Sequence, residues 1–197
     1  MRLVVFLLPA VLLASLVYAQ TATVDRSGRV TALTVAGEDL AITLNFRLPL
    51  RGWGRQPSLA EARDVRTTTA DGQRLITGRL EVEPGKFCRY EETLAQQDDQ
   101  FTVKMTMTAE ADLDLEGVFL WLDLPQERFR GGQASLGASG AAVASATMPV
   151  EPPATRHFLR GQADTLACTM PVGAGSLRLQ FDRPLPVVVQ DNREWKT

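Results

Sequence analysis

The segment RLPLRGWGRQ, residues 47–56, combines arginines with a tryptophan between glycines. Trp53 stands between Arg51 and Arg55, and glycines on both sides of a residue are typical of a surface loop. A tryptophan ring can pack on the apolar face of a sugar while arginine donates hydrogen bonds to the sugar hydroxyls. The pattern therefore predicts a ligand-binding site at Trp53, Arg51 and Arg55. The alternative is that Trp53 plugs one end of a core while the arginines stay solvated.

Arg47 follows a different pattern, because it lies on the polar face of the apolar alternation that begins at Leu40. The rest of the loop offers two arginines, and the formal net charge of the chain is −2. Binding to a nucleic-acid backbone needs clustered positive charge. We therefore expect no nucleic-acid partner.

His157 is the only histidine of the chain. Paired with a carboxylate from another strand, it would act as acid or base in a glycoside-processing enzyme. Its neighbours Arg156 and Phe158 supply no such carboxylate, so a surface or half-buried histidine on a strand edge is the more typical interpretation. An enzyme that uses His157 is kept as an alternative function.

Several well-defined catalytic motifs are missing from the sequence. It contains no G-x-S-x-G, no paired histidines of a metalloprotease, no phosphate loop with its lysine and no dinucleotide-type glycine motif. Gly137-Ala-Ser139-Gly140 is one residue too short for the first of these. We therefore predict neither a catalytic residue nor a cofactor for this chain.

Carboxylates are plentiful, but their spacing is not that of a catalytic pair. Glu91 and Glu92 point to opposite faces of a strand, so they cannot flank one glycosidic bond. Asp112 and Asp114 share a face and would suit calcium together with turn carbonyls. Such alternation is more typical of a solvated strand end, and no metal site is predicted.

The two cysteines, Cys88 and Cys168, allow two interpretations. A disulfide between them suits a chain exported to an oxidising compartment. Two separate buried thiols are equally consistent with the sequence, because cysteine is among the most buried residue types. Two cysteines and one histidine at such spacing do not predict a metal site.

The first nineteen residues have the pattern of a secretory signal helix. Arg2 precedes an apolar run from Leu3 to Leu16, and Val17-Tyr18-Ala19 resembles a cleavage site before Gln20. A membrane anchor is the alternative, but a spanning helix needs about 20 apolar residues. We therefore expect residues 1–19 to be cleaved, a secreted or periplasmic mature chain, and no membrane association after cleavage.

The dominant period in the mature chain is two, which indicates strands with one buried and one solvated face. The apolar alternations start at Leu40, Ile76, Phe101 and Leu177, and turn-forming residues separate them. The segment Gly117–Leu122 is apolar on both faces and predicts a central strand covered on both sides. The fold class is therefore all-β, an antiparallel β-sandwich in a single domain over residues 20–197.

Two stretches resemble a known kind of domain. LEGVFLWLDLP (115–125), followed by Phe129-Arg-Gly-Gly132, and VVVQDNREW (187–195) are similar to the galactose-mutarotase-like, or supersandwich, β domains of secreted bacterial glycoside hydrolases and polysaccharide lyases. The resemblance implies a supersandwich-like fold and a polysaccharide or glycan partner. Because such domains commonly run longer, it also implies the N-terminal part of a longer protein with a downstream catalytic domain.

The sequence thus predicts an exported, carbohydrate-associated β-sandwich that binds glycan or buttresses a catalytic domain of a polysaccharide-processing protein. Two alternatives stand beside it: the His157 enzyme on the same scaffold, and an envelope structural or adhesion module whose exposed strand edges pair with a partner.

Overall fold

The computed structural model describes residues 10–13, 20–35, 37–97, 100–171 and 176–194. Within them the chain is mostly β, with one short helix and three antiparallel sheets, none of which closes on itself. No helix in these ranges has the length and hydropathy needed to cross a bilayer. The described strands are β1 (Ala10–Leu13), β2 (Gln20–Val24), β3 (Val30–Val35), β4 (Glu38–Asp39), β5 (Thr43–Arg47), β6 (Arg63–Ala70), β7 (Gln73–Glu83), β8 (Lys86–Gln97), β9 (Gln100–Ala109), β10 (Phe119–Asp123), β11 (Gln133–Ala138), β12 (Ala141–Thr147), β13 (His157–Thr169) and β14 (Ser176–Gln190). The helix is α1 (Gln126–Phe129), and 3₁₀ turns span Arg51–Trp53 and Leu59–Glu61.

Two four-stranded sheets lie edge to edge. One has the order β12-β11-β13-β14 and the other β9-β8-β7-β6. The short strand β1 pairs antiparallel with both β14 and β9, and so joins them into one nine-stranded sheet. The third sheet has the order β10-β5-β3-β2, with β4 paired to β3.

Ala10–Leu13, which lie within the predicted signal helix, form the strand β1. In the ladder, Val11 lies opposite Gln180 of β14 and Thr102 of β9. A strand at this position satisfies the backbone edges of both neighbours, whereas a helix would satisfy neither. The other residues of the predicted signal lie outside the described ranges, so cleavage after Ala19 stays a prediction.

The alternating strands behave as their period predicts, and buried side chains from all three sheets form one hydrophobic cluster. Each large aliphatic or aromatic side chain buried in this way stabilises the fold by about 1.5–3 kcal/mol. The buried members of the four predicted alternations are Leu40, Ile42, Leu44, Phe46, Leu48, Ile76, Leu80, Val82, Phe101, Val103, Met105, Met107, Leu177, Leu179 and Phe181.

The segment Gly117–Leu122 is not the central, doubly covered strand that its composition predicts. Its strand, β10, is the edge of the five-stranded sheet and its residues are half-buried. Leu120 and Leu122 pack against the core, whereas Phe119 and Trp121 do not belong to that contact set. The two faces of β10 are both apolar, but only one of them is a core face.

Of the two interpretations of the cysteines, the structure has separate buried thiols, since Cys88 and Cys168 are free and no disulfide joins them. Cys88 lies on β8 and Cys168 on β13, and three strands separate these two in the sheet. At the usual spacing of strands, the four intervals between β8 and β13 amount to about 19 Å across the sheet alone. A disulfide needs Cα atoms about 4.4–6.8 Å apart.

Candidate functional site

The loop that carries Trp53 has an unusual backbone. Gly52 and Trp53 have φ angles of 80° and 61°. Glycine adopts positive φ freely, but a bulky residue held there costs about 1–3 kcal/mol. The Trp53 N–H donates to the carbonyl of Leu50 at 2.9 Å and closes the turn. Strain of this kind persists only where the surroundings hold it, and it is concentrated at functional sites.

The segment before β10 holds this loop in place. The backbone N–H of Arg51 donates to the carbonyl of Asp114 at 3.1 Å. The Arg51 Nε donates to the Asp114 carboxylate at 2.7 Å, and the Gly52 N–H donates to Oε1 of Glu116 at 2.7 Å. Charged acceptors make short, strong hydrogen bonds. Backbone and side-chain bonds together therefore fix the direction of the loop.

Trp53 is 46% exposed, which a core plug would not be. Its ring centroid lies 5.0 Å from that of Phe119, with the ring planes tilted by 54°. This distance lies within the range of favourable aromatic pairs. One aromatic face is thus supported by a second ring while Trp53 stays open to solvent.

Phe119 belongs to a face of the sheet that points away from the core. Side chains alternate along β10, and Phe119 and Trp121 lie opposite Arg47 and Asn45 of β5. Further along the same face, the Thr43 hydroxyl donates to the carboxylate of Asp123 at 3.2 Å. We call the side chains of Trp53, Phe119, Trp121, Arg47, Asn45, Thr43 and Asp123 the aromatic face.

Arg47 lies on Trp121 rather than pairing with a carboxylate. Its guanidinium carbon is 4.1 Å from the ring centroid of Trp121, within range of a cation–π interaction. Two atoms here are buried and form no hydrogen bond within the described residues: Nε of Arg47 and Oδ1 of Asn45, whose residue is 6% exposed. The aromatic face thus contains an unused donor and an unused acceptor beside Trp121.

The three residues predicted for the site do not all contribute to one surface. Arg51 and Trp53 belong to the same turn, with Arg51 paired to Asp114. Arg55 instead donates to the carbonyl of Val82 at 3.2 Å and to Glu61 at 3.2 Å. Its guanidinium holds the loop against β7 and the 3₁₀ turn Leu59–Glu61.

Sequence reasoning missed Phe119, Trp121, Asn45, Thr43 and Asp123 of the aromatic face, as well as Asp114 and Glu116, which hold the Trp53 loop. A signal for two of them was present, because the aromatic residues of β10 alternate with leucines at a spacing of two. An aliphatic face and an aromatic face on one strand indicate two different environments. The contribution of Asp114 and Glu116 depends on a β-bridge between Leu50 and Leu115, which no local pattern predicts.

His157 is exposed at the start of β13, opposite Gln190 of β14, and its role as an acid or base stays a prediction. No salt bridge between described residues includes it. Asp114, considered for calcium, is instead paired with Arg51. Within the described ranges, no group of three or more His, Cys, Asp or Glu is arranged to hold a metal ion.

A second polar cluster lies under the turn between β2 and β3. Glu92 of β8 is fully buried, and both of its carboxyl oxygens lack a hydrogen-bond partner among the described residues. Burial, with a further contribution from the Asp25 carboxylate, raises the pKa of Glu92 to about 9. A β-carbon added to Gly28 would lie 1.6 Å from Oε2 of Glu92, so the cluster has no room for a ligand.

The turn above Glu92 is fixed from the underlying sheet. The Tyr90 hydroxyl donates to the carbonyl of Ser27 at 2.9 Å, and Arg74 donates to the carbonyl of Asp25 at 3.2 Å. These bonds connect the third sheet to β7 and β8. We therefore assign the cluster to stability rather than to binding.

Comparison of the chain with protein-family models, with curated proteins and with solved structures found no match. The geometry of the aromatic face must therefore carry any functional conclusion.

Proposed function

We propose that this chain is an exported, carbohydrate-associated β-sandwich module that binds a glycan on its aromatic face. The observation that carries the proposal is the exposed ring of Trp53, supported by Phe119 at 5.0 Å. Sugars present apolar ring faces with hydroxyl groups around them, and an aromatic ring with polar neighbours complements both. The sandwich arrangement, of the supersandwich kind, belongs to the same proposal.

The rigidity of the Trp53 loop supports this interpretation. Its bonds to Asp114 and Glu116 hold Arg51 and the backbone of Gly52 beside Trp53 before any ligand arrives. A site that is ordered in advance loses less conformational entropy when it binds. The strained φ of Trp53 also supports a binding role. A tryptophan that only covered the surface would gain no stability from a strained backbone.

A glycan array probed with the purified chain tests the proposal. We expect binding that Trp53→Ala reduces at least tenfold. The matched control is Val188→Ala, which alters another exposed apolar side chain, 50% exposed, on β14. Equal binding by the parent chain and Trp53→Ala would reject the aromatic face as the site. If no glycan binds at all, the buttressing of a downstream catalytic domain is what remains of the hypothesis.

Export belongs to the same proposal and has its own test. An N-terminus at Gln20, measured by mass spectrometry on protein recovered from the medium or periplasm, would support cleavage after Ala19. The mature chain would then lack β1, which joins the two four-stranded sheets. An N-terminus that retains Ala10–Leu13 would show instead that β1 belongs to the mature fold.

A second candidate function, an envelope structural or adhesion module, is favoured by the outer edge of β12. Residues 131–150 contain no charged side chain, and the one strand paired with β12 in the described structure is β11. Strand edges without charge or proline readily pair with another strand, and β12 has neither, although its register shifts opposite Leu136 and Gly137. The opposite edge, β6, differs in charge, because it carries Arg63, Asp64 and Arg66.

Light scattering at increasing protein concentration tests this second candidate. Assembly through β12 predicts a rise in mass that Val143→Lys abolishes, because Val143 is 54% exposed on that strand. Thr68→Lys on the charged edge β6 is the control and should change nothing. A constant monomer mass would reject assembly of the chain with itself.

A further inference from the structure

We infer that the ligand of the aromatic face is a neutral glycan of several sugar units that lies along β10, and not an acidic polysaccharide. The inference rests on the proposed function and narrows it to a ligand class. Three observations carry it: the row of rings, the charge around the row and the unused hydrogen-bonding atoms.

The rings extend beyond a single contact point. Trp53 lies against Phe119, and Trp121 follows Phe119 on the same face by two residues, which is about 6.8 Å along a strand. Because β10 is an edge strand, this row runs along the border of the sheet and nothing in the ladder continues beyond it in the described structure. The row suits successive units of a chain better than a lone monosaccharide.

Of the two arginines beside the row, only Arg51 is paired with a carboxylate, that of Asp114. The guanidinium of Arg47 lies on Trp121 and keeps its positive charge. Glu116 and Asp123 add two more carboxylates to this region. An acidic ligand would therefore meet more negative than positive charge, which opposes binding.

The unused atoms of the aromatic face match a hydroxyl group. Oδ1 of Asn45 accepts hydrogen bonds only, and Nε of Arg47 donates only. A sugar hydroxyl can donate to the first and accept from the second. A carboxylate or sulfate placed at this position has acceptors only and would leave Asn45 unsatisfied, so this position favours a hydroxyl, while the charge around the row is what opposes an acidic polymer. Both atoms are buried in this structure, so a ligand reaches them only when neighbouring side chains move.

The test uses the purified full chain and pairs of polysaccharides that share one backbone, each neutral polymer beside its C6-carboxylated derivative. Affinity electrophoresis or calorimetry measures both members at low and high salt. We expect the neutral member of at least one pair to bind at least tenfold more tightly than its carboxylated derivative. We also expect little dependence on salt, competition by oligosaccharides but not by the monosaccharide, and at least a tenfold loss in Trp121→Ala.

A variant of Asp114 gives an independent readout. Asp114→Asn removes the carboxylate bound to Arg51, so this variant should gain affinity for the carboxylated polymers. Asp112→Asn, which neutralises an exposed carboxylate two residues away, is the matched control and should gain none.

The possible failures can be told apart. Tighter binding of the carboxylated member, with affinity that falls steeply as salt is added, would overturn the inference and leave the proposed function standing. Absence of binding to both members of every pair would overturn the proposed function and the inference together. Equal affinity for the neutral and the carboxylated member of every pair would overturn the inference and leave the proposed function standing.

Discussion

Glu92 occupies the space that a side chain at position 28 would need. A β-carbon built on Gly28 would lie 1.6 Å from Oε2 of Glu92 and 2.8 Å from its Cδ. Gly28 belongs to the turn between β2 and β3, and Glu92 to β8, so the contact joins two sheets. A buried carboxyl without a hydrogen-bond partner is costly. Glycine at position 28 is therefore what leaves room for the carboxyl of Glu92 in this buried place.

Gly28→Ala is therefore expected to destabilise the fold strongly. The substitution adds the overlap with Glu92 to the strain of a φ of 97°, and overpacking of this kind costs about 1–3 kcal/mol beyond the strain. Urea denaturation followed by fluorescence measures the change in the free energy of unfolding.

Gly37→Ala is the matched control for this substitution. Gly37 has a φ of 82° but no atom within 4 Å of the added β-carbon, so only the strain of about 1–2 kcal/mol applies. Gly28→Ala should lower the free energy of unfolding by more than Gly37→Ala does. This difference should disappear when Glu92 is also changed to Ala. Equal losses at the two glycines would contradict the overlap.

Glu92 should make the protein less stable as pH rises. The folded protein holds the Glu92 proton up to its pKa of about 9, whereas the ordinary pKa is 4.5. Between these values unfolding releases a proton, so the free energy of unfolding falls by about 1.4 kcal/mol per pH unit. Glu92→Gln should remove this slope and be the more stable protein at pH 8. Denaturation curves across this pH range measure both effects.

Glu91→Gln is the control for the pH dependence, because Glu91 is the exposed neighbour on the opposite face of β8. Asp25 acts in the other direction. Burial opposes ionisation of Asp25, but hydrogen bonds from Ser27 and Arg29 outweigh it and lower its pKa. Because the folded protein lowers the pKa of Asp25, the stability that its ionised form contributes is lost as the pH falls through that pKa. This loss occurs at lower pH than the effect of Glu92. An unchanged slope in Glu92→Gln would assign the pH dependence to another group.

Both cysteines should be unreactive until the protein unfolds. Burial is the main cause that raises the pKa of Cys88 to about 11 and that of Cys168 to about 12, so little thiolate exists at neutral pH. A thiol reagent should label neither cysteine in the native protein and both in denaturant. Added reductant should leave the melting temperature unchanged. Failure to label either cysteine in denaturant without reductant would show that a disulfide forms after all.

The strands could be predicted from the sequence where one face is buried and the other is wet. The alternation through Leu44 and Phe46 and that through Val103 and Met105 both give the buried face correctly. The alternation of residues along one strand does not show whether that strand lies at the centre or at the edge of a sheet. For this reason β10 was expected at the centre, although it lies at an edge. The same limit applies to Cys88 and Cys168, since their separation depends on strand order and not on local pattern.

The candidate site was predicted only around its exposed centre. Glycines beside Trp53 indicate a loop, and the loop does expose the ring. Phe119 and Trp121 reach this surface because β10 pairs with β5, a contact between residues far apart in sequence. The burial of Glu92 was equally hidden, because a carboxylate within an alternating strand normally lies on its wet face.

Trp53→Gly should separate binding from stability. Glycine relieves the strain of a φ of 61°, worth about 1–3 kcal/mol, and loses the contact with Phe119, worth about 0.5–1.5 kcal/mol. The free energy of unfolding should therefore stay within about 1 kcal/mol of the parent value or rise slightly, while affinity for the bound glycan falls at least tenfold. Phe119→Ala is the comparison, because it removes the same contact without relieving any strain and should cost stability. Urea denaturation and calorimetry measure the two quantities. A large loss of stability in Trp53→Gly would show that the ring serves the fold and not a ligand.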